Sequence, residues 1–449
     1  MIDMKSVSGY EKRKRNSLIY YLPGLMLLSM MIIVPMGHQE IKAVLLFITF
    51  AEIFVYFTLT RRSHLHPKIF RLFVLYISLG LMYGLYGLIR GNLGALPITK
   101  EVVLYVAFFM ILICGIRNHS SIKYVHKTLV FSACFVCIYM IVTYLHAMEI
   151  WPDWLYYDLS TETTTQDVST LGFEKHGKFE MVFGSYCNLM FLQPYLFAYL
   201  LVGKGKASKS LWFSVIISTG FMIFSSSRVL LVIALVFPLI IIIMLTFIDS
   251  KRIALLRKGI MVIFTITLLV ILSLTYFKQY GFSVTMAYMD LMDGFRTYGK
   301  YGGRIMPNPR IDQTLALFDA WKEKPLFGFG SGAVHWGYIR SATSPWQYEV
   351  SFAQFLYNWG IIGCMLYAIG LYYIYRISTR AYKAKSKLGV YALAATFGSI
   401  AFLIGSWTNP YLLRFDSLFA IFIPIAIVNL YLFEKDHVKR FPRHPIEVS

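Results

Sequence analysis

Apolar positions along this chain fall in unbroken runs of about twenty residues, separated by shorter polar stretches that are mostly basic. Coiled as a helix, a run of that length spans the roughly 30 Å apolar layer of a bilayer. The runs are continuous and do not alternate apolar with polar, so helices are the expected spanning form and barrel strands are excluded. Twelve candidate spans follow, at about 18–36, 41–60, 69–89, 101–116, 128–148, 181–202, 211–227, 229–248, 260–277, 351–375, 388–406 and 417–433. The fold class expected is an all-α polytopic membrane protein with about twelve transmembrane helices and one large outer loop containing short helices. Residues 1–277 would hold helices one to nine with an outer loop at 149–180. Residues 278–350 would form the large loop, and 351–449 the last three helices and a tail.

The pattern changes inside the large loop, where 308–330 reads NPRIDQTLALFDAWKEKPLFGFG. Asn308 suits an N-cap and Pro309 the first helical position. Ile311, Leu315 and Phe318 recur at helical spacing, with Leu317 and Trp321 beside them, and Pro325 and Gly328 end the segment. A short amphipathic helix at the membrane surface or against the bundle is expected. Arg310 stands in its first turn, where a cation opposes the helix dipole and so needs another reason to be present.

Composition agrees with this picture. Of 449 residues, 57% are hydrophobic and only 15% charged, against roughly 25% charged in soluble domains. The net charge of +20 could suggest a nucleic-acid partner until it is sorted by loop. With the run Lys12 to Arg15 placed inside, the inner loops, tails and adjoining span ends carry 28 of the 43 Lys and Arg but 6 of the 23 acids. The outer side carries the other 15 bases and 16 acids, and Glu52 lies within a span. This is a positive-inside signature with both termini cytoplasmic, and no nucleic-acid partner is expected. The first apolar run has no small-x-small cleavage site and reads as an uncleaved anchor. All five cysteines fall within spans; Cys134-x-x-Cys137 lacks a nearby His or second pair and reads as packing.

Three features could act on a phosphate-bearing substrate. Arg228, in FSSSRVLLV, lies between two apolar spans, where a charge tends to face a bundle cavity or snorkel to headgroups. Arg310 shares the large loop with Arg296, Lys300, Arg304 and Arg340, and a guanidinium fork suits phosphate or pyrophosphate. The same group could be a solvated basic face balanced by Asp290, Asp293, Asp312 and Asp319. Glu349, just before the tenth span, could take a proton from a substrate hydroxyl or simply favour a helix start. Gly328-Phe-Gly-Ser-Gly332 could cradle an anion or terminate a helix. Asp290-x-x-Asp293 lacks a third metal ligand, and His335 is a second base candidate. Glu52 could relay protons or be structural. Trp151, Trp154, Tyr156 and Tyr157 read as an interfacial belt more readily than as a sugar platform.

The order and spacing of these features resemble the O-antigen polymerase and O-antigen ligase family of bacterial inner-membrane glycosyltransferases. The resemblance rests on Arg310 followed by Pro325-Leu-Phe-Gly328-Phe-Gly330, on Glu349 eleven residues before Gly360 in Gly-Ile-Ile-Gly, and on Arg228 in a Ser-Arg motif. It covers about 181–375. It implies a glycosyltransferase C-like membrane fold and metal-independent, inverting sugar transfer on the periplasmic face, with no cofactor. The substrates implied are undecaprenyl-pyrophosphate-linked oligosaccharide and polysaccharide, among membrane lipids, with a chain-length regulator as a further partner. Glu349 would be the catalytic base, and Arg228, Arg310, Arg304 and Arg296 would bind pyrophosphate. Ligase members carry His-Asn where this chain has Glu349-Val350, which favours a polymerase of lipopolysaccharide O-antigen or a similar polymer. A ligase transferring polymer to lipid A core is the alternative. A lipid-linked oligosaccharide flippase is a third reading, disfavoured by the long outer loop.

Overall fold

Runs of about twenty apolar residues can satisfy their backbone groups in lipid only by bonding within the segment, and helices dominate the computed structural model of the protein. It describes residues 21–60 except 36, 64–157 except 148, residue 159, 173–174, 179–180, 184–203, 208–224, 227–248, four positions between 259 and 268, 298–301, 304–307 and 309–440. The helices are α1 (Leu22–Ile33), α2 (Gln39–Thr60), α3 (Pro67–Ile89), α4 (Ala95–Gly115), α5 (His119–Ala147), α6 (Leu189–Val202), α7 (Lys209–Phe224), α8 (Arg228–Ile248), α9 (Pro309–Trp321), α10 (Ser351–Lys383), α11 (Lys387–Gly405) and α12 (Phe419–Arg440). Seven of them, α2, α3, α4, α5, α8, α10 and α11, are long and apolar enough to cross a membrane. The chain is therefore an α-helical membrane protein.

Several boundaries differ from the sequence reading for physical reasons. The expected span 101–116 is longer, because α4 begins at Ala95 and takes in Leu96, Pro97 and Ile98 ahead of Lys100 and Glu101. The expected span 181–202 is a 3-10 turn, Gly184–Asn188, running into α6. At about 2.0 and 1.5 Å per residue the two together reach about 30 Å. The expected span 260–277 lies outside the described residues apart from three helical positions. Two small hairpins accompany the helices: β1 (Phe173–Glu174) with β2 (Phe179–Glu180), and β3 (Tyr298–Tyr301) with β4 (Arg304–Pro307).

The helices differ sharply in how far they are enclosed. In α11, 78% of the apolar window is buried, whereas in α2 it is 17%. Gly398 lets α11 approach α6 closely, since a Cβ there would meet Phe191, the way small residues pack membrane helices. Phe47, Phe54 and Leu59 of α2 are largely exposed, as a lipid-facing surface requires. At one end of the bundle, His66 Nε2 meets Asp436 at 2.9 Å, and His119 Nε2 meets Glu434 at 2.8 Å. Asn429 ties the same end by donating to His64 O at 2.7 Å. The opposite end carries the α3–α4 turn, residues 322–350 and the α11–α12 connection, and there the candidate chemistry gathers.

Candidate functional site

The motif Pro325-Leu-Phe-Gly-Phe-Gly330 has a mechanical reason to exist. The expected continuous helix at 351–375 is instead α10, which extends to Lys383 and breaks at Gly360 (φ 61°, ψ −172°). In an unbroken helix Ile361 N–H would donate to Tyr357 O, and Ile362 N–H to Asn358 O. Here Ile361 and Ile362 donate to Pro325 O and Leu326 O, at 2.9 and 3.1 Å. The two vacated carbonyls accept from Phe329 and Gly330, at 3.0 and 2.8 Å. The segment thus inserts into the helix, and the backbone accounting still closes. Room for it comes from glycine: a Cβ on Gly360 would lie 2.4 Å from Leu326 O, and one on Gly328 2.6 Å from Asn358. Both residues also have positive φ, which L side chains rarely adopt.

The same segment continues onto the α3–α4 turn. Ser331 N–H donates to Tyr83 O at 3.0 Å, Gly94 N–H to Gly332 O at 3.1 Å, and Asn92 Nδ2 to Phe329 O at 2.9 Å. The N–H groups of Gly328, Phe329, Gly330 and Ser331 are therefore all engaged within the protein, Gly328 donating to Lys324 O. That removes the anion-cradle alternative for these four groups: the glycines serve close packing.

Helix α9 starts at Pro309 and ends where Trp321 Nε1 donates to Pro325 O at 3.1 Å. Of its expected apolar set, Ile311 and Phe318 are half-buried, and Phe318 packs against the cluster around Leu317. Gln313 and Leu317 are the buried positions, while Leu315 is 54% exposed. Gln313 Oε1 accepts from the backbone N–H of Glu349 at 2.8 Å and of Val350 at 3.2 Å. One side chain of α9 therefore satisfies backbone donors just ahead of α10. Sequence reading passed over Gln313; its only signal was a polar residue four positions before Leu317, on one face.

Holding that backbone fixes Glu349. It precedes the N-cap Val350 and lies outside α10, so the helix-cap reading does not apply. Its Oε2 accepts from Arg310 Nε at 2.7 Å, and its Oε1 pairs with Arg340 Nη2 at 2.8 Å. One carboxylate thus bridges two guanidinium groups, with a charge-assisted bond of the strong class to Arg310. The side chains of Arg310, Arg340 and Glu349 are 48%, 40% and 26% exposed, so solutes can reach all three. The cation in the first turn of α9 has its reason: it meets a carboxylate from another element.

Around this triad lie groups that the sequence reading did not single out. Tyr338 stands within electrostatic reach of Asp312, Glu349 and Arg340, and burial pushes its phenol up. Tyr411, in the α11–α12 connection, is pushed well up by burial, against the opposing fields of Arg414 and Arg310. Arg414 lies over its ring at 5.6 Å. Ser351 Oγ donates to Asn409 O at 2.6 Å, joining this connection to the start of α10. Deeper, Lys42 Nζ meets Asp416 Oδ1 at 3.1 Å with both side chains at most 10% exposed, and burial pushes the Asp416 carboxyl up to about 6.

Of the expected site residues, the structure brings Glu349 and Arg310 into contact and adds Arg340 from the same basic group. Arg228 is the first residue of α8, and Arg304 opens β4. Arg296, Asn308, Asp290 and Asp293 lie outside the described residues. His335 donates its backbone N–H to Tyr348 Oη at 2.7 Å, with its ring edge-on to Tyr357. Cys134 lies 2.9 Å from Ser214 Oγ, and both Cys134 and Cys137 are free thiols, in keeping with a packing role. Trp154 and Tyr157 are mostly exposed, and Tyr156 stacks on His146. No protein-family model matches the chain, and no curated protein matches it significantly.

Proposed function

We propose that this protein is a bacterial polysaccharide polymerase that joins undecaprenyl-pyrophosphate-linked repeat units on the periplasmic face of the inner membrane. The single observation that carries the reading is the carboxylate-bridged arginine pair, Arg310–Glu349–Arg340, reachable from solvent at one end of an apolar bundle. Guanidinium groups at such a place suit a diphosphate whose lipid tail stays in the bilayer. In this reading the chain crosses the membrane twelve times with both termini cytoplasmic, and 278–350 is a periplasmic loop.

The growing chain on its lipid diphosphate is the donor, and a single lipid-linked repeat unit is the acceptor. The acceptor hydroxyl oxygen attacks the donor C1 from the face opposite the diphosphate, so the anomeric configuration inverts. The C1–O bond to phosphate breaks with its electron pair leaving on the diphosphate, whose charge Arg310 and Arg340 stabilise. The hydroxyl proton passes to Glu349. Arg228, Arg304 and Arg296 contribute further positive charge to the donor site.

Reconstitution with purified lipid-linked repeats tests this directly. The wild type should yield a ladder of lengthening polymer, and Glu349→Gln should yield none at equal protein level and insertion. Full-length polymer from Glu349→Gln would remove that residue from the chemistry. A strain lacking the protein should carry lipid A core capped with one repeat. Core left bare would instead identify a ligase, and movement of repeats across the bilayer without growth would identify a flippase.

A further inference from the structure

Glu349 and the donor diphosphate need the same two guanidinium groups, and the geometry points to an exchange between them. We infer that Glu349 holds Arg310 and Arg340 as a stand-in anion until a lipid diphosphate displaces it, so that the carboxylate becomes a proton acceptor only after the donor has bound. This rests on the polymerase reading and specifies how the same site is regulated.

Each Glu349 oxygen is committed to one arginine, Oε2 to Arg310 Nε at 2.7 Å and Oε1 to Arg340 Nη2 at 2.8 Å. An acceptor hydroxyl approaching this carboxylate meets oxygens that each already face a guanidinium group. A diphosphate carries more charge than a carboxylate and offers more acceptor oxygens. Both arginines are about half exposed, so a diphosphate can outbid Glu349 for them at modest cost in desolvation. Glu349 has no need to travel: Gln313, itself 2% exposed, pins the backbone N–H groups of Glu349 and Val350. The arginines move and the base stays. Once they turn to the diphosphate, Glu349 can take the proton of the acceptor hydroxyl as the new C–O bond forms and the old one breaks. Donor binding and base release are then one event. Attack on an empty or wrongly filled donor site is suppressed because the base is occupied.

The coupling makes a prediction that other roles of Glu349 do not. If the carboxylate competes with the diphosphate, removing its charge must tighten diphosphate binding even as it abolishes transfer. Binding of farnesyl pyrophosphate to the full-length protein in detergent can be followed by intrinsic tryptophan fluorescence. Glu349→Gln is expected to bind at least about fivefold more tightly than wild type, the lower end of ordinary site coupling. In an Arg340→Gln background the same substitution should gain less, because half of the competed pair is gone. Phosphatidylglycerol at matched concentration should not compete; if it does so equally, the site recognises headgroup phosphate in general and the proposal fails. Weaker binding in Glu349→Gln would mean that the carboxylate positions the arginines, and unchanged binding that it does not engage them. Either result overturns the exchange while leaving the polymerase reading standing. Failure of the wild type to bind farnesyl pyrophosphate at all would overturn both. Melting curves of each variant establish that the comparison is between folded proteins.

Discussion

At the scale of single residues, chemistry and support separate cleanly. Arg310 acts through the shape of its side chain as well as its charge, because a planar fork presents two parallel N–H donors to a pair of oxygens and an ammonium does not. Arg310→Lys is expected to lower polymer formation in reconstitution about tenfold, on the order of 1.4 kcal/mol in the barrier. A rate within twofold of wild type would argue against fork recognition. Gln313 touches no substrate in this reading, yet it satisfies two backbone N–H groups from a buried position. Gln313→Leu should cost about 1–3 kcal/mol of stability, the usual penalty for buried donors left unmet. Leu315→Ser, at an exposed position two residues away on the same helix, should cost less than about 0.5 kcal/mol. Thermal melts of the two variants decide whether α9 is oriented as described.

At the scale of elements, the break in α10 is what ties the loop to the bundle. The 325–330 segment exchanges hydrogen bonds with the broken turn, and Gly360 has a backbone conformation essentially confined to glycine. Gly360→Ala should therefore cost about 1–3 kcal/mol in backbone strain, plus whatever is needed to move Leu326 O. The loss should be local. Lys322 lies just ahead of the inserted segment, and Lys324, followed by Pro325, resists trypsin, so limited trypsin digestion should cut after Lys322 faster in Gly360→Ala than in wild type. An unchanged digestion pattern would mean that the insertion does not depend on this glycine. The spacing of eleven residues from Glu349 to Gly360 also acquires a physical meaning, since it sets how far the triad stands from the point where the loop is clamped.

At the scale of the whole molecule, α2 is anchored to the site end by one buried ion pair, Lys42–Asp416, with Lys42 also donating to Val34 O. Burial raises the Asp416 carboxyl from its ordinary 3.8 to about 6 despite the neighbouring ammonium, so the neutral form is favoured in the fold relative to the unfolded chain. The stability linked to this proton is complete below about 4 and is lost as pH rises through about 6. Lys42→Met leaves a buried carboxylate without its cation and should cost roughly 3–5 kcal/mol at pH 7.5. Lys42 holds this carboxyl down, so without it Asp416 takes its proton above about 6, and the deficit should shrink as pH falls from 7.5 towards about 6 and then level off. Melts across that range check the sign. The double variant Lys42→Met with Asp416→Leu should be at least as stable as wild type at pH 7.5.

The sequence by itself determined that this chain is a helical membrane protein, because length and continuity of apolar runs are local properties read against a fixed bilayer thickness. It also started a helix at Pro309 and ended the segment at Pro325 and Gly328, four residues past the observed end at Trp321, and it singled out Arg310, Glu349 and the Pro325–Gly330 motif as candidates. Only the tertiary structure decided what these residues do to one another. The contact of Arg310 with Glu349 spans 39 residues and that of Gln313 with the backbone of Val350 spans 37, and no periodicity reaches that far. Arg340 was one of several loop cations until folding set it on the second oxygen of Glu349. The glycine-rich stretch looked able to hold an anion until its N–H groups were seen to be engaged by α3 and α10 and by its own turn. Position along a chain fixes what a segment can be, and contact between segments fixes which of its groups remain to do chemistry.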